Sequence, residues 1–382
     1  MKGSLSARAA SKAIASGASE AINFYTKNFG KKINFDLICQ PIADGGDDTL
    51  DVLAEEKYQT NVTGPLLQNV TAQWGSRGKT AIIEMAKASG IALLDPKDLN
   101  PFKATTYGTG QLIEAAVKKG FKDILITIGG SATCDGGIGA LAALGAKFYD
   151  SHGNKFIPYG NISTGKVASI DLGNAQSLLK GVKISIACDV DNPLLGNHGS
   201  IYTFGKQKLC PSIQNNQQKL KQALSDMEKN IAKYSHLITK TTNKNVENLP
   251  GCGAAGGFPL SFCPIFDAKL ERGSSLVLKI LEFDKYKGSD LVFTCEGQCD
   301  EQTLHGKGPY AVVKKLEGSH IVFLCGGIES EEVEKKMLSE GASIVASITD
   351  RPETLQECIE ATPELLRRAA FRHTYSYLVS KL

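Results

Sequence analysis

The chain has 382 residues, 22% of them charged and 42% hydrophobic, with a formal net charge of +3. That length allows about two domains, and the balance of apolar and charged residues excludes a disordered chain. Scattered basic residues leave no nucleic-acid footprint, no apolar run approaches the ~20 residues a bilayer demands, and the first six residues lack a signal-peptide layout.

Along the chain, the apolar run 35–39 reads as a first strand. It is followed by Ala43-Asp44-Gly45-Gly46-Asp47-Asp48, a glycine pair flanked by acids. From 60 to 85, short alternating runs around turn residues predict antiparallel hairpins. Residues 122–128 form a near-continuous apolar strand, followed by Gly129-Gly130 and a helical stretch near 136–146. The run 182–187 repeats the pattern and ends in Cys188-Asp189-Val190-Asp191-Asn192-Pro193. Residues 212–245 are polar with helical spacing at Leu220, Leu224, Met227 and Ile231, the mark of an amphipathic helix and a following loop.

Three more apolar runs close the chain, at 291–294, 320–325 and 342–348, with helices expected at 309–316 and 329–340 and two further helical stretches after 348. Buried strands alternating with helices indicate an α/β fold with a parallel sheet covered on both faces. A smaller mixed domain comes from the interior segments. The ten cysteines include no CxxC pair, and several lie inside apolar runs. That usage fits small buried hydrophobes in a reducing, cytoplasmic compartment.

In open α/β sheets, ligands bind beyond the carboxyl ends of the strands, and the polar motifs fall at those ends. In Gly129-Gly130-Ser131-Ala132-Thr133-Cys134-Asp135-Gly136-Gly137, glycines let backbone N–H groups approach an anion, and Ser131 and Thr133 can donate to its oxygens. Asp135 caps the following helix or reaches a metal. Standing alone, such a loop is better explained as a tight turn shaped by packing. Neither a GxxxxGK[ST] loop nor a good GxGxxG loop is present.

Asp189 and Asp191, with Asn192 beside them, suit a Mg²⁺ site or a general base near a hydroxyl, or else a polar turn. The segment from Glu296 to Pro309 carries Asp300, Gln302, Thr303 and Lys307, the last able to neutralise a phosphate or carboxylate. Asp44, Gly45 and Gly46 form a fourth polar loop. Gly256 and Gly257 belong to a fifth, glycine-dense enough to bring backbone close to a ligand. Five such loops in one chain favour a binding crevice over five unrelated turns.

These motifs resemble those of the bacterial-type glycerate kinases. The resemblance runs in order through Ser4-Leu5-Ser6-Ala7, Pro41-Ile42-Ala43-Asp44-Gly45-Gly46, Val62-Thr63-Gly64-Pro65-Leu66 and Ile83-Glu84-Met85-Ala86. It continues through Asn100-Pro101, Thr105-Thr106-Tyr107-Gly108-Thr109-Gly110, the 129–137 loop and 187–194, and closes with Phe204-Gly205, Gln207-Lys208, 253–257 and 296–307. It implies ATP- and Mg²⁺-dependent phosphorylation of D-glycerate, usually to 2-phosphoglycerate, in a protein that binds neither nucleic acid nor membrane and could be a homo-oligomer.

The implied fold is a Rossmann-like domain (1–56, 100–150 and 283–382, with 182–188 a candidate to join it) into which a mixed α/β domain (57–99 and 151–282) is inserted. By the same resemblance Asp189 or Asp191 is the base or orients the hydroxyl, Glu296 or Asp300 helps to bind Mg²⁺, the 129–135 loop holds phosphate or carboxylate, and Lys307 supplies positive charge.

Four departures stand out. The family opens with a strand ending in a Pro-Asp-Ser-Phe-Lys-like segment, of which this chain matches only the last residue, Lys2, counted among the substrate-binding candidates. The family's Gly-Glu-Gly-Arg reads Cys295-Glu296-Gly297-Gln298, its loop asparagine is Cys134, and its Phe-Gly-Pro-Gln-Lys-Gly reads Phe204-Gly205-Lys206-Gln207-Lys208-Leu209. Two other readings keep the same loops: a non-catalytic binder of glycerate or nucleotide, and a kinase for another small hydroxy acid.

Overall fold

Residues 4–46, 49–304 and 306–381 are described by the computed structural model, in which the chain divides into two compact units. One is the continuous interior stretch Gly45–Gly273. The other joins Met1–Asp44 to Ser274–Leu382. Lys2, Asp47, Asp48 and His305 lie outside the described residues.

Among the described residues the interior unit holds nine strands: β1 (Glu56–Thr63), β2 (Asn69–Arg77), β3 (Thr80–Glu84), β4 (Asp123–Thr127), β5 (Lys147–Tyr149), β6 (Lys155–Phe156), β7 (Ser169–Asp171), β8 (Lys183–Ala187) and β9 (Lys269–Glu271). Six of them form one sheet in the order β1-β2-β3-β4-β8-β9. The first three pair antiparallel, as the alternation over 60–85 predicts. From β3 to β9 every pair is parallel. The Ile124-Leu125-Ile126 run of β4 is buried because helices and loops cover both faces, the condition that makes a parallel strand uniformly apolar. Strands β5, β6 and β7 make a small antiparallel sheet of their own.

The amphipathic segment forms the helix Gln217–Thr242. Asn216 caps its start by accepting from Lys219 N (3.0 Å), and Asn243 ends it in the left-handed conformation. Met227, Ile231, Tyr234 and Ile238 are its buried stripe.

Strands β10 (Leu291–Cys299), β11 (His320–Ile328) and β12 (Ile344–Ser347) form a parallel sheet in the other unit, with β11 central and buried from Ile321 to Cys325. The helices Ala7–Phe29 and Leu355–Val379 pack together there. They approach so closely that a Cβ on Gly17 would overlap the Arg367 carbonyl oxygen, so the position demands glycine.

Three expectations are corrected. Residues 35–39 form no strand, and Phe35, Leu37 and Ile38 are exposed. A strand exists through its ladder, and β10, β11 and β12 pair only with one another among the described residues. Residues 100–150 lie in the interior unit, because β4 hydrogen-bonds to β3 on one side and β8 on the other. Residues 45–56 and 274–282 likewise fall across the expected boundaries. The two stretches after 348 are one helix containing Pro363. The lost backbone donor at Pro363 is outweighed by the burial of Leu365, Leu366, Ala369 and Ala370.

Candidate functional site

At the carboxyl end of β4 the Gly129-Gly130 pair is exposed, while the chain from Ser131 to Asp135 turns inward and is buried. Backbone bonds fasten this loop on one side: Ile91 N donates to Gly130 O (2.8 Å) and Ala132 N to Ser89 O (2.9 Å). On the other side Gly136 N donates to Gly256 O (3.0 Å). A side chain at Gly256, where φ is +70°, would overlap the Thr133 carbonyl oxygen, so the 253–257 loop and the 131–137 loop lie back to back. Gly257 is packed against Leu194 in the same way.

Asp135 is the fastener of this arrangement. Its Oδ2 accepts from Thr106 N (2.8 Å), Thr106 Oγ1 (2.9 Å) and Gly139 N (3.4 Å), and its Oδ1 from Gly137 N (3.1 Å). Burial pushes its pKa up, and these donors oppose that shift. Its oxygens are engaged within the fold, so the geometry gives it the capping role of its two sequence readings.

The end of β8 is more open. Asp189 and Asp191 are exposed; Asp189 Oδ1 accepts from Gly273 N (2.9 Å), and Asp191 pairs with Arg272 (2.9 Å). Asn192 ties its loop down by donating to His198 O (2.8 Å) and Thr203 Oγ1 (3.3 Å). Gly45 completes the group. A Cβ placed there would lie 3.2 Å from Ala187 Cβ and 3.5 Å from Asp189 Oδ2, and one on Gly129 would lie 3.3 Å from Gly46 Cα. The fold therefore gathers Gly45, Gly46, Gly129, Asp189 and Gly273 around the ends of β4, β8 and β9. Glu84, at the end of β3, supports them from beneath: buried, it accepts from Leu50 N (2.6 Å) at the start of the helix Thr49–Leu53. Burial raises the Glu84 pKa, against the Leu50 N–H and Lys87.

Two cations here were given no role by the sequence. Arg272 follows β9, a three-residue strand too short to show periodicity. Lys208 closes the turn Lys206–Lys208 and is 2% exposed, its Nζ donating to Ser131 Oγ (2.8 Å) and Thr133 O (2.8 Å). Lysine is rarely buried, and only its place in a motif marked it beforehand.

The other unit holds its own cluster at the end of β10. Glu296 is 9% exposed, and its Oε1 has no hydrogen-bond partner among the described residues. Burial pushes its pKa up to about 7, while Thr303 and Lys307 pull it down. Asp300 Oδ1 accepts from Thr303 N (2.9 Å), Thr303 Oγ1 (3.1 Å) and Lys307 Nζ (3.2 Å). Burial acts to raise the Asp300 pKa, but these donors together hold it below the usual range. Thr303 is buried; Gln302 and Gln298 are exposed. Asp44 is also exposed, and the carbonyl oxygen of its neighbour Ala43 would lie 3.6 Å from a Cβ on Gly308.

No group of three or more His, Cys, Asp or Glu side chains suited to a metal occurs among the described residues. Mg²⁺ does not require one, since it is commonly held by one or two carboxylates with water and substrate phosphates. The unpartnered Glu296 oxygen beside Asp300 fits that pattern.

The family described as the glycerate kinase family matches residues 1–376. A glycerate kinase of Bacillus cereus is 38% identical over 338 residues, 86% of each chain. A glycerate 2-kinase of Escherichia coli K12 is 34% identical over 339 residues, again 86% of each. Among solved structures, a Salmonella typhimurium LT2 protein provisionally assigned as glycerate kinase 2 superposes with a TM-score of 0.82 at 32% identity, covering 100% of this chain and 96% of its own.

Proposed function

The chain belongs to the glycerate kinase family, phosphotransferases with an alcohol group as acceptor, and we propose that it transfers the γ-phosphoryl group of ATP to D-glycerate. The observation that carries this is Asp189: an exposed carboxylate at the end of β8, oriented by Gly273 N and edged by Gly45. Such a group accepts the proton of the attacking hydroxyl as the new oxygen–phosphorus bond forms and ADP leaves. Asp191, held by Arg272, orients rather than accepts. Phosphoryl transfer otherwise needs positioning and charge neutralisation. Glycine backbone around 45–46 and 129–130 and the Ser131 hydroxyl serve the first need, and Lys307 the second.

Glu296 and Asp300 would hold Mg²⁺, which supplies charge neutralisation at the phosphates when bound. The 2-hydroxyl is the favoured acceptor, a preference supported by the name of the Escherichia coli relative. Ten free cysteines support a cytoplasmic setting.

Release of ADP in a coupled assay with D-glycerate, ATP and Mg²⁺, with the product identified by ³¹P NMR, tests the reading. Turnover to 2-phosphoglycerate is expected. Binding of D-glycerate or ATP without ADP release overturns it, and faster kcat/KM on another hydroxy acid reassigns the substrate.

A further inference from the structure

Lys208 has no place in the roles assigned so far. Its ammonium is buried, and among the described residues both of its hydrogen bonds go to uncharged oxygens. The ionisable groups bearing on it among those residues are Cys134 and Asp135, both buried, and Asp135 already accepts four hydrogen bonds from Thr106, Gly137 and Gly139. An ammonium kept from water without a close carboxylate is costly unless an anion joins it.

Its contacts also have a directional consequence. Lys208 donates into Ser131 Oγ, so the Ser131 hydroxyl proton must point away from Lys208. A second hydroxyl of the same loop, Thr133 Oγ1, is buried with no hydrogen-bond partner among the described residues. One cation and two hydroxyl donors thus share three residues of loop.

We propose that Lys208, Ser131 and Thr133 form an oxyanion subsite, in which Lys208 is a positioning residue that aims the Ser131 hydroxyl and supplies the counter-charge. The anion is the carboxylate of the hydroxy acid or a phosphate group, and only that choice of ligands rests on the kinase reading. Burial lowers the Lys208 pKa, with Cys134 and Asp135 opposing, and an arriving anion would act in the same sense as those two.

The test is calorimetric binding to the full chain of D-glycerate alone, ATP alone and inorganic phosphate alone. Wild-type protein is expected to bind at least one of these. Lys208→Met is expected to weaken that ligand by about tenfold or more and to leave at least one ligand of the other class, carboxylate or phosphate, within about twofold, and Lys208→Arg to recover part of the loss; Ser131→Ala should weaken the same ligand. D-glycerate as the affected ligand marks a carboxylate subsite, and ATP or phosphate a phosphate subsite.

Equal loss for every ligand with a lowered melting temperature, or unchanged affinities in both variants, overturns the subsite. If Lys208→Met does not fold, Ser131→Ala decides: unchanged affinity for every ligand overturns the proposal. Wild-type protein that binds none of the three also overturns it. Because none of these measurements needs turnover, a chain that binds as described but releases no ADP refutes the kinase reading and leaves the subsite standing.

Discussion

Asp135 and Asp189 both follow parallel strands of one sheet, and both sit among glycines, yet the fold treats them oppositely. Asp135 is fully buried and takes four hydrogen bonds; Asp189 is exposed, with one oxygen steadied by a backbone N–H. The first joins a loop to the helix Tyr107–Lys118 and to the turn before Ile138. The second is presented outward. An acid at a strand end is therefore not one kind of residue. Saturation by internal donors makes it a fastener, and exposure at a strand end is what the role proposed for Asp189 requires.

The contrast breaks most directly at the half for which catalysis is proposed. Asp189→Asn should lower kcat by about 10²–10⁴-fold and leave stability within about 0.5 kcal/mol, checked by steady-state kinetics beside urea unfolding. Asp135→Ala should do the reverse at first hand. It leaves several buried N–H and O–H donors unmatched, so a stability loss of about 3 kcal/mol or more is expected in the same unfolding experiment. Similar profiles for the two variants would erase the distinction. Gly256→Ala, which places a methyl on the Thr133 carbonyl oxygen at positive φ, should cost about 2–3 kcal/mol. It would show that the 131–137 loop is held from behind as well as by Asp135.

Two smaller effects sharpen the picture around Asp189. The Arg272–Asp191 pair is largely exposed, so Arg272→Ala should change stability by less than about 1 kcal/mol. Glu84 has a folded pKa raised by burial above its ordinary value of 4.5. A raised pKa means that its contribution is present below about pH 4.5 and is lost as pH rises through the folded value. Glu84→Gln keeps an acceptor for Leu50 N and removes that loss, so its melting temperature relative to wild type should be higher at pH 7 than at pH 4. A difference that falls with pH would refute this assignment.

Much of the fold was legible in the sequence. The run 122–128, the alternation over 60–85 and the stripe Leu220, Leu224, Met227 and Ile231 each report a local period that the structure honours. What failed depended on partners that no local pattern carries. Residues 35–39 have strand composition but no ladder, and β4 has the same composition as β11 yet pairs in a different sheet. The site shows the same limit. Glycines and acids at strand ends were visible, but the donors that saturate Asp135 come from Thr106, Gly137 and Gly139, and the lysine against Ser131 comes from position 208. Only the tertiary fold brings those positions together.

The close crossing at Gly17 has a consequence for synthesis. The helix Ala7–Phe29 leaves the ribosome long before Leu355–Val379, the helix that covers it, has been made. Between them the whole of Gly45–Gly273 emerges as one continuous stretch with its own sheet and core. Folding during translation proceeds by units as they become complete. The interior unit can therefore close while the chain is still growing, whereas the other must keep its first helix waiting, apolar face uncovered, until the last helix is released.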